Sequence, residues 1–441
     1  MTQKRKLQGF TRRGFLKSST VVVTAAAIPT ITETQMHNGR ESLDLFKQIS
    51  GTETDLSPVL AGFPKEAKRL YLEQVFGMLL SRPGLSQKDR QLSAVAMVAS
   101  LGNSPEQLRL HIDGMLNTGW MPNEVVGAIL HLLVYGSNPL AQAGIAVARE
   151  VFRARGLLPV KAATDGSQRD RYKEGIRILR ELAGTNGDYA VQMYRDIAPD
   201  VTRFAIEYGM GEIWARPGLT LRQKEIVTIS SLAVQGNNEG PLRFHTRAAI
   251  RVGLKPSEVR EIALQTAAFA GWPLAMGALW AVEQGIEDEG RPHEGDKAPS
   301  NLPPLLEPES DEARFERGSR IFGKVTKGAP SDAILKSFED IAPELGHYII
   351  EFGYGDVFAR QGIDLKYREL AAVAAMAASD RAATQTPLEI HIAGALNVGA
   401  SEQEILDVLI HLIPFVGFPK VQKAVRIVQQ VFEARKQQEK K

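Results

Sequence analysis

The chain has 441 residues, 44% of them hydrophobic and 24% charged, with a formal net charge of +2. That length corresponds to roughly two to four domains of ordinary size, and the composition is globular rather than disordered or multi-spanning. Cysteine is absent, which excludes disulfides, thiolate metal sites, thiol nucleophiles and dithiol redox chemistry together.

The first thirty residues read as an address. Six basic residues, Lys4, Arg5, Lys6, Arg12, Arg13 and Lys17, precede the first acid, Glu33. The apolar run Val21–Ile28 follows, shorter than the about 20 residues of a membrane-spanning helix. The segment Thr11-Arg12-Arg13-Gly14-Phe15-Leu16-Lys17 resembles a twin-arginine export signal, and Ala25-Ala26-Ala27 offers small residues for cleavage. The expectation is a signal over 1–27, a polar leader over 28–54, and a periplasmic or otherwise exported protein that the twin-arginine machinery carries in folded form. A basic arm for nucleic acid would not need paired arginines, Phe-Leu-Lys and an apolar run in this order. Loss of residues 1–27 removes six positive charges and leaves an acidic chain without a basic stripe, which argues against nucleic acid as a partner.

The remainder repeats itself. GMGEIWARPGL (Gly209–Leu219) matches GYGDVFARQGI (Gly353–Ile363), and Asp196-Ile-Ala-Pro199 matches Asp340-Ile-Ala-Pro343. A weaker third copy begins with VFGMLLSRPGL (Val75–Leu85). The segments ending in His111, His245 and His391 align, as do those starting at Tyr135, Phe269 and Phe415. Such self-similarity marks tandem structural units. The expected units are 55–160, 168–286 and 313–436, with an acidic, proline-rich linker over 287–312. Each reads as helical: Arg90–Leu101 and its equivalents are rich in Ala, Leu and Val without strand alternation. Gly119, Gly253 and Gly399 stand where a glycine ends a helix, Pro122 and Pro256 where the next one starts, and Ser401-Glu-Gln-Glu404 has capping-box spacing. The fold class expected is all-α: three tandem helical bundles.

GEIWARPGLTLRQKEIVTISSLAV, then LRFHTRAAIRVGL, then PSEVREIALQTAAFAGWP, resembles the carboxymuconolactone decarboxylase family. The resemblance covers almost all of 60–435 as three copies, strongest in the middle one. The same superfamily holds alkylhydroperoxidase D-like peroxidases that use a Cys-x-x-Cys segment before the matching helix. Here that region reads Gly236-Asn-Asn-Glu-Gly-Pro241, so thiol peroxidase chemistry is excluded.

The resemblance implies decarboxylation of a small carboxylated lactone or related oxygenated acid, without metal or organic cofactor. Such a reaction needs an anchor for the substrate anion, a donor for developing charge and a proton for carbon. In the middle copy Arg216 is the candidate carboxylate clamp. His245 is the candidate proton donor. Glu225, twenty residues earlier, can meet it across a helical hairpin and orient it. Glu212 is a second acid, four residues from Arg216. The third copy keeps Asp356, Arg360, Glu369 and His391 at these positions, with two extra residues between Glu369 and His391. The first keeps Arg82 and His111 as substrate-binding candidates, but has Met78 and Gln91 in place of the acids. An active middle site, an active third site and a structural or regulatory first unit are expected. His131 and His411 match each other while Gln265 replaces them in the middle copy, and they read as helix-face polar residues. No His-Glu-x-x-His or close His/carboxylate cluster points to a metal. A non-catalytic ligand binder or scaffold of the same fold is the alternative. Three units could close a pseudo-threefold ring, and two chains could imitate a six-unit assembly.

Overall fold

The computed structural model describes residues 39–51, 64–161, 170–184, 199–236, 238–290, 309–380 and 384–439. The twin-arginine segment, Asp196-Ile-Ala198, His37 and His293 lie outside them. Regular structure among the described residues is helical throughout.

Copy 1 runs through α1 (Gly39–Ser50), α2 (Lys65–Tyr71), α3 (Gln87–Leu101), α4 (Pro105–Asn117), α5 (Pro122–Tyr135) and α6 (Asn138–Ala154). Copy 2 holds α7 (Arg171–Ala183), α8 (Pro199–Phe204), α9 (Leu221–Gln235), α10 (Glu239–Arg251), α11 (Pro256–Ala270) and α12 (Trp272–Glu289). Copy 3 holds α13 (Asp311–Val325), α14 (Asp332–Phe338), α15 (Pro343–Tyr348), α16 (Leu365–Ser379), α17 (Gln385–Asn397), α18 (Glu402–His411), α19 (Ile413–Val416) and α20 (Phe418–Glu439). Helices α2, α8 and α15 each continue as a π-helix: Leu72–Leu80, Ala205–Trp214 and Ile349–Phe358. Residues 39–50, expected within a polar leader, instead form a helix whose Phe46 and Ile49 are fully buried against copy 1. Its apolar residues recur at helical spacing, so it belongs to the unit.

The helix ends follow the local chemistry. Gly119, Gly253 and Gly399 sit just past α4, α10 and α17 with φ of 88°, 100° and 95°, the left-handed region. Thr220 and Gln223 form a reciprocal capping box at the start of α9, and Ser401 and Glu404 another at α18. Helix α7 crosses the π-helix of its own copy at backbone contact. A Cβ on Gly211 would lie 2.0 Å from the Arg171 carbonyl oxygen, and one on Gly175 would lie 2.2 Å from that of Ile206. Gly318 and Gly355 do the same in copy 3. Only glycine permits this approach.

Two of the contacts between copies are reciprocal and unlike each other. Copies 1 and 2 pack α3 against α9, both buried almost all round. Two hydroxyl pairs cross the seam, Ser93–Ser230 and Ser100–Ser231, at 2.8 Å each. Copies 2 and 3 meet through their π-helices, where Tyr208 stacks on Phe352 at 3.7 Å. That contact is reciprocal: Arg216 pairs with Glu344 at 3.1 Å, and the equivalent Arg360 pairs with Asp200. A threefold ring repeats one contact three times, so two different reciprocal contacts correct the expectation of an internal pseudo-threefold ring. Copies 1 and 3 also touch, through Arg149–Asp340 at 2.9 Å and around an apolar cavity of about 450 Å³ lined by Leu108, Leu140, Phe338 and Ile390.

Candidate active site

Helices α9 and α10 form an antiparallel hairpin, and that hairpin brings Glu225 and His245 together. The Glu225 carboxylate oxygens lie 3.1 and 3.2 Å from His245 Nδ1. Glu225 is fully buried, and burial raises its carboxyl above the ordinary range while His245 works the other way. The imidazole keeps about 5% of its side-chain surface open. A carboxylate that accepts from Nδ1–H fixes the tautomer and leaves Nε2 as the atom that exchanges protons.

The walls of this pair come from two copies. From copy 2, the Trp214 indole lies parallel to the His245 ring at 5.8 Å, and Phe244 meets it edge-on. From copy 1, Tyr135 meets the same ring edge-on at 5.1 Å. Trp214 Nε1 donates to the Tyr135 hydroxyl at 2.8 Å, which ties the two walls together. His131, also from copy 1, packs on Trp214 at 4.6 Å and lies 2.9 Å from the Thr228 hydroxyl. Burial, with Lys224 and His245 nearby, drives its imidazole well below the usual range, so it is neutral. Lys224 is buried at the edge of the site, donating to the Trp214 and Arg216 carbonyls at 2.6 Å each.

The equivalent places in the other copies differ chemically. In copy 1, His111 Nδ1 meets the neutral amide of Gln91 at 2.9 Å, both sealed from solvent, and burial lowers that imidazole to about 3. With no carboxylate to hold a cation, His111 stays neutral across the working pH range. In copy 3, His391 Nδ1 lies 2.8 Å from Glu369, which is fully buried. The Phe358 ring lies over His391 at 6.0 Å, in the place Trp214 takes in copy 2.

The remaining candidates are engaged elsewhere. Arg216 is buried between copies, donating to Glu344 and to the Tyr348 hydroxyl at 3.1 Å each. Glu212, four residues away, pairs with Arg171 at 2.6 Å and accepts from Tyr348, not from Arg216. Arg82 forks onto Glu261 of copy 2 at 2.8–3.1 Å, with Arg90 on the same carboxylate. Arg360 is tied to Asp200. Asp356 takes Arg314 and Arg317. The geometry thus gathers Glu225 with His245 and Glu369 with His391, and places the three arginines and the two earlier acids in bridges between helices or copies.

Sequence reasoning passed over Tyr135, Trp214 and Lys224, and read His131 as a helix-face residue. A signal existed for two of them: the ring positions Tyr135/Phe269/Phe415 and Trp214/Phe358 recur with the repeat. What the repeat could not reveal is that Tyr135 serves the site of the next copy.

The family model described as "Carboxymuconolactone decarboxylase family" matches residues 65–150, 199–284 and 343–430. The chain belongs to that family, three times over. A segment of it is 31% identical over 121 residues to "4-carboxymuconolactone decarboxylase" of Acinetobacter baylyi, covering 27% of this chain and 90% of that one. Another 131-residue match, at 30% identity, is to "Nitrosuccinic acid decarboxylase npaB" of Metarhizium robertsii, covering 29% and 89%.

Proposed function

We propose that the chain is a decarboxylase-like enzyme acting on a small carboxylated lactone or related oxygenated acid, with His245 as proton donor. The observation that carries this reading is the buried Glu225–His245 pair, enclosed by aromatic rings from two copies. The relatives' names add support: both denote decarboxylation of a small acid bearing an electron-accepting group.

The chemistry fits the groups. As the bond to the carboxylate carbon breaks, its electron pair moves into the conjugated acceptor and carbon dioxide leaves. The carbon left behind takes a proton from Nε2 of the His245 imidazolium, and solvent restores it. Glu225 holds Nδ1–H and offsets the imidazolium charge, as a positioning residue. Lys224 and the imidazolium supply positive potential for an anion at this edge. His391 and Glu369 repeat the arrangement in copy 3, whereas His111 and Gln91 serve packing in copy 1.

The N-terminal sequence further supports export in folded form through the twin-arginine pathway. Lysine at both Arg12 and Arg13 should hold the protein inside the cell, and unchanged export would refute that route. For the reaction, purified protein is given carboxymuconolactone-type acids and nitrosuccinate while carbon dioxide release is followed. Turnover that disappears in the His245→Ala, His391→Ala double variant supports the reading. Saturable binding without turnover in the unaltered protein would overturn it in favour of a binder.

A further inference from the structure

We propose that a charged cavity between copies 2 and 3 binds a free α-amino acid, its carboxylate on Arg203 and its ammonium group on Glu207. The cavity measures about 230 Å³, and its wall includes Arg203, Phe204, Glu207 and Tyr208 of copy 2 and Arg314 and Asp356 of copy 3. It shares no lining residue with the site around Glu225 and His245.

The observation is a difference between the copies. Positions 203 and 207 recur in all three as a pair four residues apart, the first on a short α-helix and the second on the π-helix that continues it. In copy 1, Arg69 donates to Glu73 at 2.7 Å. In copy 3, His347 Nδ1 lies 3.0 Å from Glu351. Each is an ordinary pair one helical turn apart. In copy 2 the pair stands open. The Arg203 guanidinium lies over the Phe204 ring at 4.9 Å, and its ion pair is with Asp200 at 3.8 Å, an acid that already holds Arg360. Arg203 Nε is buried with no hydrogen-bond partner among the described residues. Glu207 has neither hydrogen bond nor ion pair among them. Arg314 reaches Glu351 at 3.6 Å, whereas the equivalent Arg171 is taken by Glu212 at 2.6 Å and by Asp311. The other charged groups of the wall are also engaged: Asp170 caps α7, Arg314 holds Asp356, and Glu309 holds Arg317.

An open cation and an open carboxylate on one wall call for a ligand that carries both charges. Burial of an ion without its partner is costly, and burial raises the Glu207 carboxyl above its ordinary range, with Arg203 the strongest opposing influence. The two ends of the cavity differ in potential. At one, Arg203 and Arg360 both lie over Phe204, at 4.9 and 5.8 Å, and share the single acid Asp200. At the other, Asp356 adds a second negative charge beside Glu207. A carboxylate suits the first end, because a guanidinium takes it through two parallel hydrogen bonds. An ammonium group, with three donors and no acceptor, suits the second. An α-amino acid joins these two groups through one carbon, so one small molecule satisfies both. The rings of Phe204 and Tyr208 give its side chain an apolar wall. The volume lies below the roughly 300–1,000 Å³ of drug-sized pockets, which restricts the ligand to a single aliphatic or aromatic amino acid.

Titration calorimetry and thermal melts of the full chain with L-leucine and L-phenylalanine test the site. At least one of them should bind saturably and raise the melting temperature. N-acetyl-L-leucine, which lacks the ammonium charge, and L-leucinamide, which lacks the carboxylate, should do neither. Arg203→Met and Glu207→Gln should each weaken binding about tenfold or more, with the fold intact by circular dichroism. Glu73→Gln, at the equivalent place in copy 1, should leave binding unchanged. No response to either amino acid overturns the proposal, and in that case non-additive destabilisation by Arg203→Met and Glu207→Gln would show the pair closed on itself as in copies 1 and 3. Equal binding of N-acetyl-L-leucine overturns it in favour of a plain anion site. Binding that survives both variants, or that His245→Ala abolishes, overturns it by placing the ligand elsewhere. The binding is read without turnover and does not rest on the catalytic role of His245.

Discussion

Replacing Glu225 by glutamine keeps the side chain's shape and removes its charge. The protein contains its own precedent, since copy 1 pairs Gln91 with a His111 that burial lowers to about 3. In copy 2 the bond to be weakened is the 3.1 Å contact between the carboxylate and Nδ1. A hydrogen bond to a charged group contributes about 1.5–3 kcal/mol and a neutral one about 0.5–1.5, so the exchange removes about 1–2 kcal/mol. Expressed in the proton-transfer step, that is about a 5–30-fold loss of kcat. Stability should move the other way. A carboxyl raised in the folded state contributes stability that is complete below its unfolded-state value and is lost as pH rises through the folded one. Above that window the native protein bears a buried charge at Glu225 that glutamine lacks. The variant should therefore gain stability relative to the unaltered protein at about pH 8 compared with about pH 4. Carbon dioxide release, measured in a His391→Ala background, and urea melts at both pH values report the two effects. Unaltered turnover in Glu225→Gln, alongside its loss in His245→Ala, would refute the positioning role.

Three further outcomes are expected. In the His391→Ala background, His245→Ala should remove about 10²–10⁴-fold of turnover, whereas His111→Ala should leave turnover per folded molecule unchanged; equal losses would refute separate roles for the two copies. Tyr135→Phe strips the acceptor from the buried Trp214 N–H and should cost about 1–3 kcal/mol by denaturant melts, and it should also impair the site of copy 2 although the residue lies in copy 1. Arg216→Ala leaves Glu344 without its buried partner and should cost about 3–5 kcal/mol of stability; selective loss of substrate affinity in a stable variant would restore Arg216 as a carboxylate clamp.

Much of the fold was legible because helix punctuation is local. Gly399, Pro256 and the Ser401–Glu404 box act within one turn of their own backbone, and the structure uses each where the sequence puts it. The Glu225–His245 contact was legible for the same reason, since twenty residues of helix, turn and helix allow one short hairpin geometry. The arginines were not legible. Arg82, Arg216 and Arg360 repeat at one position, and repetition alone cannot tell a ligand clamp from an inherited bridge between copies. Only docking decides it, because Glu344 lies 128 residues from Arg216 and Glu261 lies 179 from Arg82.

The sequence by itself determined the helical class, the threefold repeat, the family and the absence of thiol chemistry, since these depend on composition and near-neighbour pattern. Tertiary structure alone decided which copy walls which site. Tyr135 sits over His245 because two helices of small residues, α3 and α9, approach closely enough to bring one copy's ring to its neighbour's imidazole. Such a contact is set by how surfaces fit across a seam, and no spacing along the chain records that fit.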